Sequence, residues 1–203
     1  MAHKPELIVI AGPNGSGKTS VTEQLLLHTW SENCLYINPD QIAQTEFGDW
    51  NSPQASLKAA RQAERLRESA LVEKRSLVFE TVFSAPDKVD YVRRARHANF
   101  FIRFFFICTD GPEINISRIA NREREGGHGV PSDKVVSRYS KSIAQCAAVI
   151  ALVDRAYIYD NSAEDVAPQL LFRTENGTLK KLYRDPVNDW ARPILEQLTR
   201  PAP

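Results

Sequence analysis

Residues 12–19 read GPNGSGKT, an instance of G-x-x-x-x-G-K-[ST], and no other stretch restricts the fold as much. The apolar run LIVIA, Leu7 to Ala11, precedes it and has the length and branching of a buried strand. The segment TSVTEQLLL follows it with helical character. A strand, a glycine loop and a helix in that order let backbone N–H groups curl around a phosphate while the helix turns its positive end towards it. Gly12, Pro13, Asn14, Gly15, Ser16, Gly17, Lys18, Thr19 and Ser20 would then form the nucleotide cradle. Lys18 would reach the outer phosphates and Thr19 would offer its hydroxyl to Mg²⁺. ATP or GTP fits such a cradle, and the absence of a guanine-reading N-K-x-D pattern favours ATP.

The rest of the chain repeats the switch from short apolar runs to longer helical patterns that marks a parallel α/β sheet. Strands are predicted at Leu7 to Ala11, Leu35 to Ile37, Leu77 to Phe79, Phe100 to Cys108 and Ala156 to Tyr159, giving about five parallel strands flanked by helices. Helices are predicted at Thr19 to Leu27, Pro53 to Glu73, Pro86 to His97, Pro112 to Arg124 and Asp133 to Leu152. Pro53, Pro86 and Pro112 stand near helix starts, where a missing N–H is harmless, with Ser52 and Ser84 as expected N-caps. LLFRT-ENG-TLKKLY reads as a C-terminal β-hairpin turning on Asn176 and Gly177, followed by a short helix from Asn188 to Leu198 and a frayed RPAP end. A single domain over residues 1–203 is expected, with its core at about 6–162 and the hairpin and helix at about 168–199.

Charge and cysteine usage narrow the setting. A net charge of +1 supplies no overall field towards nucleic acid or an anionic membrane, so anion binding must be local. Cys34, Cys108 and Cys146 are widely spaced and form no CxxC, as expected in a reducing cytosol. No apolar run approaches the ~18 residues of a membrane span, so a cytoplasmic protein is expected.

Nucleotide binding alone does not define an activity. An ATPase would show an apolar strand ending in Asp-Glu, whereas here LVF runs into Glu80-Thr81 and FFFIC into Thr109-Asp110. A kinase needs a base facing an acceptor hydroxyl and a cover that excludes water. Asp40, in NPDQ just past the second strand, lies on the strand-end rim where ligands gather in such sheets. It is a candidate base, with capping of a helix that starts near Gln41 as the alternative. Glu80, in FETVFS, is a second rim carboxylate for a substrate hydroxyl or a metal-bound water, or else a first-turn acid of the next helix; Thr81 adds a hydroxyl. NREREGGHGVP, residues 121–131, supplies the elements of a lid: arginines, glycines for motion, and Pro131 where a helix restarts. His128 within it lacks ligand-spaced partners and reads as a turn or substrate residue, not a metal ligand. Lys58, Arg61, Arg65 and Arg67 could face an anionic substrate or, with Glu64 and Glu68, form a solvated face. Asp160 ends the last core strand and is assigned no chemistry.

Taken together, GPNGSGKT, INPD, FETVFS, NREREGGHGVPSDKVVSRYSKS and YDNS, in this order over about residues 6–162, resemble the zeta toxins, P-loop kinases of toxin–antitoxin systems, and their chromosomal relatives. The resemblance implies a nucleotide-kinase-like core and transfer of the ATP γ-phosphate, with Mg²⁺, to a sugar hydroxyl; in the well-known members the acceptor is the 3′-hydroxyl of UDP-N-acetylglucosamine. It implies Lys18 and Thr19 on phosphate and metal, Asp40 as base, Glu80 and Thr81 on the substrate, and Arg118, Arg122 and Arg138 as lid arginines on the transferring phosphoryl group, with Arg118 alternatively on the adenine. On a helix over Pro112 to Arg124, Arg118 and Arg122 share a face that Arg124 does not. The GGHGVP insertion departs from the best-characterised toxins and points to a chromosomal branch with the same core. A separate antitoxin chain is the partner implied. A nucleoside, a polynucleotide end or another metabolite are alternative acceptors, and an ATP-bound protein-interaction module is the alternative of another class.

Overall fold

A computed structural model gives the fold and describes residues 4–48 and 52–199. Seven strands form one sheet in the order β2-β3-β1-β4-β5-β6-β7. The first five are β1 (Glu6–Ala11), β2 (Leu35–Ile37), β3 (Leu77–Thr81), β4 (Phe101–Cys108) and β5 (Arg155–Asp160), which run parallel to one another. They match the predicted strands to within two residues. The hairpin strands β6 (Gln169–Glu175) and β7 (Thr178–Leu182) pair antiparallel and extend the same sheet from β5. Asn176 (φ 51°) and Gly177 (φ 72°) turn between them as predicted.

Alternation along β1 divides its side chains between two faces. Leu7, Val9 and Ala11 join the larger core with Phe79, Phe104, Phe106 and residues of α3 (Pro53–Val72), α4 (Pro86–His97), α6 (Ser132–Val149) and α7 (Arg192–Thr199). Ile8 and Ile10 join Val78, Phe105 and Ile107 beneath Val21 and Leu25 of α1 (Lys18–Leu26). Burying both faces explains why the strands read as near-continuous apolar runs. In the resulting register Ile10 lies beside Glu80 and Ala11 beside Thr81, which carries both β3 residues to the edge of the glycine loop.

Helix starts follow the prolines. Pro39, Pro53, Pro86 and Pro112 all stand in the first turn of α2 (Pro39–Phe47), α3, α4 and α5 (Pro112–Arg124). Ser52 caps α3 as expected, its side chain accepting from the Ala55 N–H. Ser84 does not cap α4: the cap is the residue immediately before the proline, Ala85, and it forms no side-chain bond. The predicted C-terminal helix is a 3-10 turn at Asp189–Ala191 continuing into α7, and the RPAP end lies outside the described residues.

The basic face proposed for α3 is only partly solvated. Arg61 and Arg65 are exposed, but Arg67 is buried, with its guanidinium over the rings of Phe79 (5.2 Å) and Tyr91 (6.0 Å). It is therefore a core contact and not a substrate contact. No helix among the described residues is long and apolar enough to cross a membrane.

Candidate active site at the strand ends

The glycine loop joins β1 to α1, and a backbone hydrogen bond from Gly12 N–H to the Thr81 carbonyl (3.3 Å) ties it to the end of β3. Gly17 caps α1 in a left-handed conformation, φ 85°, and a Cβ there would lie 2.1 Å from the Asn161 side-chain nitrogen. Neither the backbone nor the space admits another residue. Lys18 folds over the loop, its Nζ donating to the carbonyls of Gly12 and Pro13 at 2.9 Å. The Ser16 hydroxyl is buried without a partner, and Thr19 and Ser20 stand exposed on the first turn of α1. A loop with an unsatisfied hydroxyl, an ammonium and an open helix N-terminus suits a nucleotide phosphate, and the exposed Thr19 hydroxyl is the one that could hold a metal ion brought with it.

Burial lowers the pKa of Lys18, Glu80 and then Asp40 pull it back up, and Arg122 pushes it down. Both predicted carboxylates thus act on the loop lysine, the arrangement expected for one site. Glu80 is 8% exposed, and its Oε1 accepts from the Tyr36 hydroxyl (2.6 Å) and from Asn38 Nδ2 (3.2 Å). Burial, then the bond to Glu80, raises the Tyr36 pKa far above neutrality and keeps it a donor. Asp40 is exposed in the first turn of α2. It does not cap that helix: Asn38 does, its Oδ1 accepting from the N–H groups of Asp40 (2.9 Å) and Gln41 (3.4 Å). The Asp40 carboxylate is therefore not committed to capping. The Thr81 hydroxyl accepts from the Phe83 N–H (3.0 Å) and retains its own hydrogen to donate.

The three arginines separate. Arg138, on α6, donates to Asn14 Oδ1 in the loop at 3.2 Å. Arg122, on α5, donates to the His128 carbonyl at 2.6 Å, within electrostatic range of Lys18. Arg118 donates to the carbonyls of Asn161 (2.7 Å) and Ala163 (3.1 Å), which sets it beside the loop after β5. Helix α5 ends as predicted at Arg124, which turns to the Asn121 side chain. Its end is closed by two bonds, Gly126 N–H to the Glu123 carbonyl and Gly127 N–H to the Arg122 carbonyl, with Gly126 at φ 88°. This is a Schellman cap, so the paired glycines terminate a helix.

Sequence reasoning missed Asn161. Its side chain donates to the Ser16 carbonyl (2.9 Å), its carbonyl receives Arg118, and its N–H binds the Cys108 carbonyl (2.8 Å). One residue thus joins the glycine loop, α5 and β4; its position directly after strand-end Asp160 was the available signal. Asp160 itself is buried and accepts from Ser162 (2.5 Å), a structural contact. Asn161→Ala is expected to weaken ATP binding about tenfold, equivalent to about 1.4 kcal/mol, as read by calorimetric titration. An unchanged affinity would show that the loop keeps its shape without it.

Residues 1–167 match the sequence profile of the family described as Zeta toxin. A Haemophilus influenzae protein described as uncharacterized is 28% identical over 134 residues, 65% of this chain and 91% of that protein. Among solved structures, AvrRxo1-ORF1:-ORF2 with ATP superposes with a TM-score of 0.68 at 18% identity, over 97% of this chain. The present chain spans 64% of the length of that one. The PezAT chromosomal toxin–antitoxin system of Streptococcus pneumoniae gives 0.63 at 15% identity, over 97% of this chain and 79% of that one. A putative kinase from Chloroflexus aurantiacus gives 0.52 at 19%, over 68% and 80%. At these identities the structural likeness is one of fold.

Proposed function

The chain belongs to the Zeta toxin family, and from that premise we propose that it is an ATP-dependent kinase transferring the γ-phosphate to a hydroxyl of a small nucleotide-linked sugar such as UDP-N-acetylglucosamine. The observation that carries the reading is geometric: Glu80 stands beside the end of β1 where the glycine loop begins, and Asn38 bonds both its carboxylate and the backbone of Asp40, so the two carboxylates belong to one rim. Ionised carboxylates only accept hydrogen bonds, so a phosphoryl acceptor seated beside them must bring O–H or N–H donors. A polyhydroxylated sugar does so. In this reading Asp40 takes the proton from the attacking hydroxyl as the new O–P bond forms and the bond to the leaving ADP oxygen breaks. Lys18, Arg122 and Arg138 neutralise charge on the transferring group, while Arg118 holds the nucleotide side of the cleft. Glu80 and Thr81 bind the acceptor, one accepting and one donating. Mg²⁺ bound with the nucleotide would sit on the Thr19 hydroxyl and draw charge from the phosphate oxygens.

The GGHGVP lid supports placing the chain in the chromosomal branch of the family. The wider proposal is one kinase domain in the cytoplasm, restrained by a separate antitoxin chain. Incubation with ATP and UDP-N-acetylglucosamine, followed by mass spectrometry, is expected to show the sugar nucleotide gaining one phosphate. Labelling of a different metabolite in a cell extract would overturn that acceptor and keep the kinase; labelling of none would overturn both.

A further inference from the structure

The cap of α2 and the seat of Glu80 share one amide. The Asn38 Oδ1 accepts from the backbone of Asp40 and Gln41, while its Nδ2 donates to Glu80 Oε1 (3.2 Å) and to the Tyr36 hydroxyl oxygen (3.0 Å). The Tyr36 hydroxyl in turn donates to the same Glu80 oxygen at 2.6 Å. An N-cap needs only the oxygen half of this side chain, and Asp or Ser would serve as well. The nitrogen half has no capping role, and it points at the buried carboxylate beside the phosphate loop.

We infer that Tyr36 and Asn38 are positioning residues of the transfer reaction: they hold the two rim carboxylates in one fixed relation, so that acceptor binding at Glu80 sets the acceptor hydroxyl against Asp40. This deepens the kinase reading of the same site and rests on it. Two donors converge on Oε1, which holds that oxygen in place and leaves Oε2 outside this pair of bonds. Asn38 anchors the first turn of α2 to that same carboxylate, so Asp40 cannot shift without straining the network. Among the described residues neither hydrogen-bonds the glycine loop, so nucleotide affinity should not depend on them. Rigid placement matters because a misplacement of about 1 Å can cost about 100-fold in rate.

The cap and the positioning role are separated by substitution. Asn38→Asp and Asn38→Ser keep the capping oxygen and remove the Nδ2 donors; Tyr36→Phe removes the other donor and keeps the ring. Native protein and variants are given ATP and the acceptor that the native chain labels in a filtered cell extract. Melting temperature, ATP affinity, kcat and acceptor KM are recorded. For Asn38→Ser and Tyr36→Phe kcat is expected to fall about 10- to 100-fold, with ATP affinity unchanged and melting temperature within a few degrees of native; Asn38→Asp, which sets a second carboxyl against the buried Glu80, is expected to lose at least as much rate and to melt earlier. The Tyr36→Phe/Asn38→Ser double variant should lose less than the product of the singles, because both act through Glu80. If Asn38→Asp and Asn38→Ser transfer at the native rate while Asn38→Ala melts early, Asn38 is a cap alone and the inference is overturned. Native kcat in Tyr36→Phe overturns it for Tyr36. A native chain that labels no metabolite removes the kinase reading, and this inference with it.

Discussion

Asp40→Asn is expected to slow phosphoryl transfer by about 10²- to 10⁴-fold, the usual contribution of a positioned general base, with ATP affinity within about twofold of native. The fold does not depend on the Asp40 carboxylate. It is exposed, and it is the backbone N–H of this residue that Asn38 binds. Asparagine has nearly the same shape and can still accept a hydrogen bond, but it cannot take up the acceptor proton. The variant should therefore melt like the native chain and bind ATP while failing to turn over. Rapid-quench measurement of transfer gives the rate, and growth of cells expressing either form gives the biological readout. Any growth arrest caused by the native chain should vanish in the variant; equal arrest would remove Asp40 from the mechanism.

A second large effect is expected at Arg138, and the structure sets it apart from Arg118. Arg138 donates to Asn14 within the phosphate loop, so its guanidinium already stands against the loop that would hold the phosphate. Loss of an arginine that stabilises a transferring phosphoryl group costs about 10³- to 10⁵-fold in kcat, and Arg138→Ala should fall in that range. Arg138→Lys should recover only part of it, because a point charge replaces a two-pronged donor. Arg118 is committed to the carbonyls of Asn161 and Ala163, so Arg118→Ala should raise the KM for ATP and change kcat by less than about tenfold. Comparing kcat and KM across the three variants tests the assignment. A larger fall in kcat for Arg118→Ala than for Arg138→Ala would reverse the two roles.

The elements legible in the sequence were those written in local patterns. Apolar runs gave the five parallel strands, prolines gave the helix starts, and Asn176-Gly177 gave the hairpin turn. That the hairpin completes the main sheet was not legible, because pairing of β6 with β5 depends on side chains distant in the chain. Within the candidate site, Lys18 could be named from the glycine-loop motif, and Asp40 and Glu80 because strand ends of a parallel sheet share a rim. Tyr36 could not, and Asn161 only through its place after a strand end, since their roles are contacts with Glu80 and Ser16 across 44 and 145 positions. Two misreadings were avoidable. The cap of α4 stands directly before Pro86, which excludes Ser84, and Arg67 continues the four-residue spacing of buried Ala55, Ala59 and Ala63, so it lies on the inward stripe of α3.

The Schellman cap of α5 changes what the glycines of the lid do. Gly126 and Gly127 close back onto the carbonyls of Glu123 and Arg122, and the Arg122 guanidinium grips the His128 carbonyl across the same turn. The turn is thus a latch fastened by the very side chain that would serve the phosphate. Arg122 holds the His128 carbonyl while its charge lies within range of Lys18, so one side chain belongs both to the turn and to the field at the phosphate loop. A bound triphosphate would then draw on an arginine that also fastens the turn, and the end of α5 would feel the charge in the loop through that side chain.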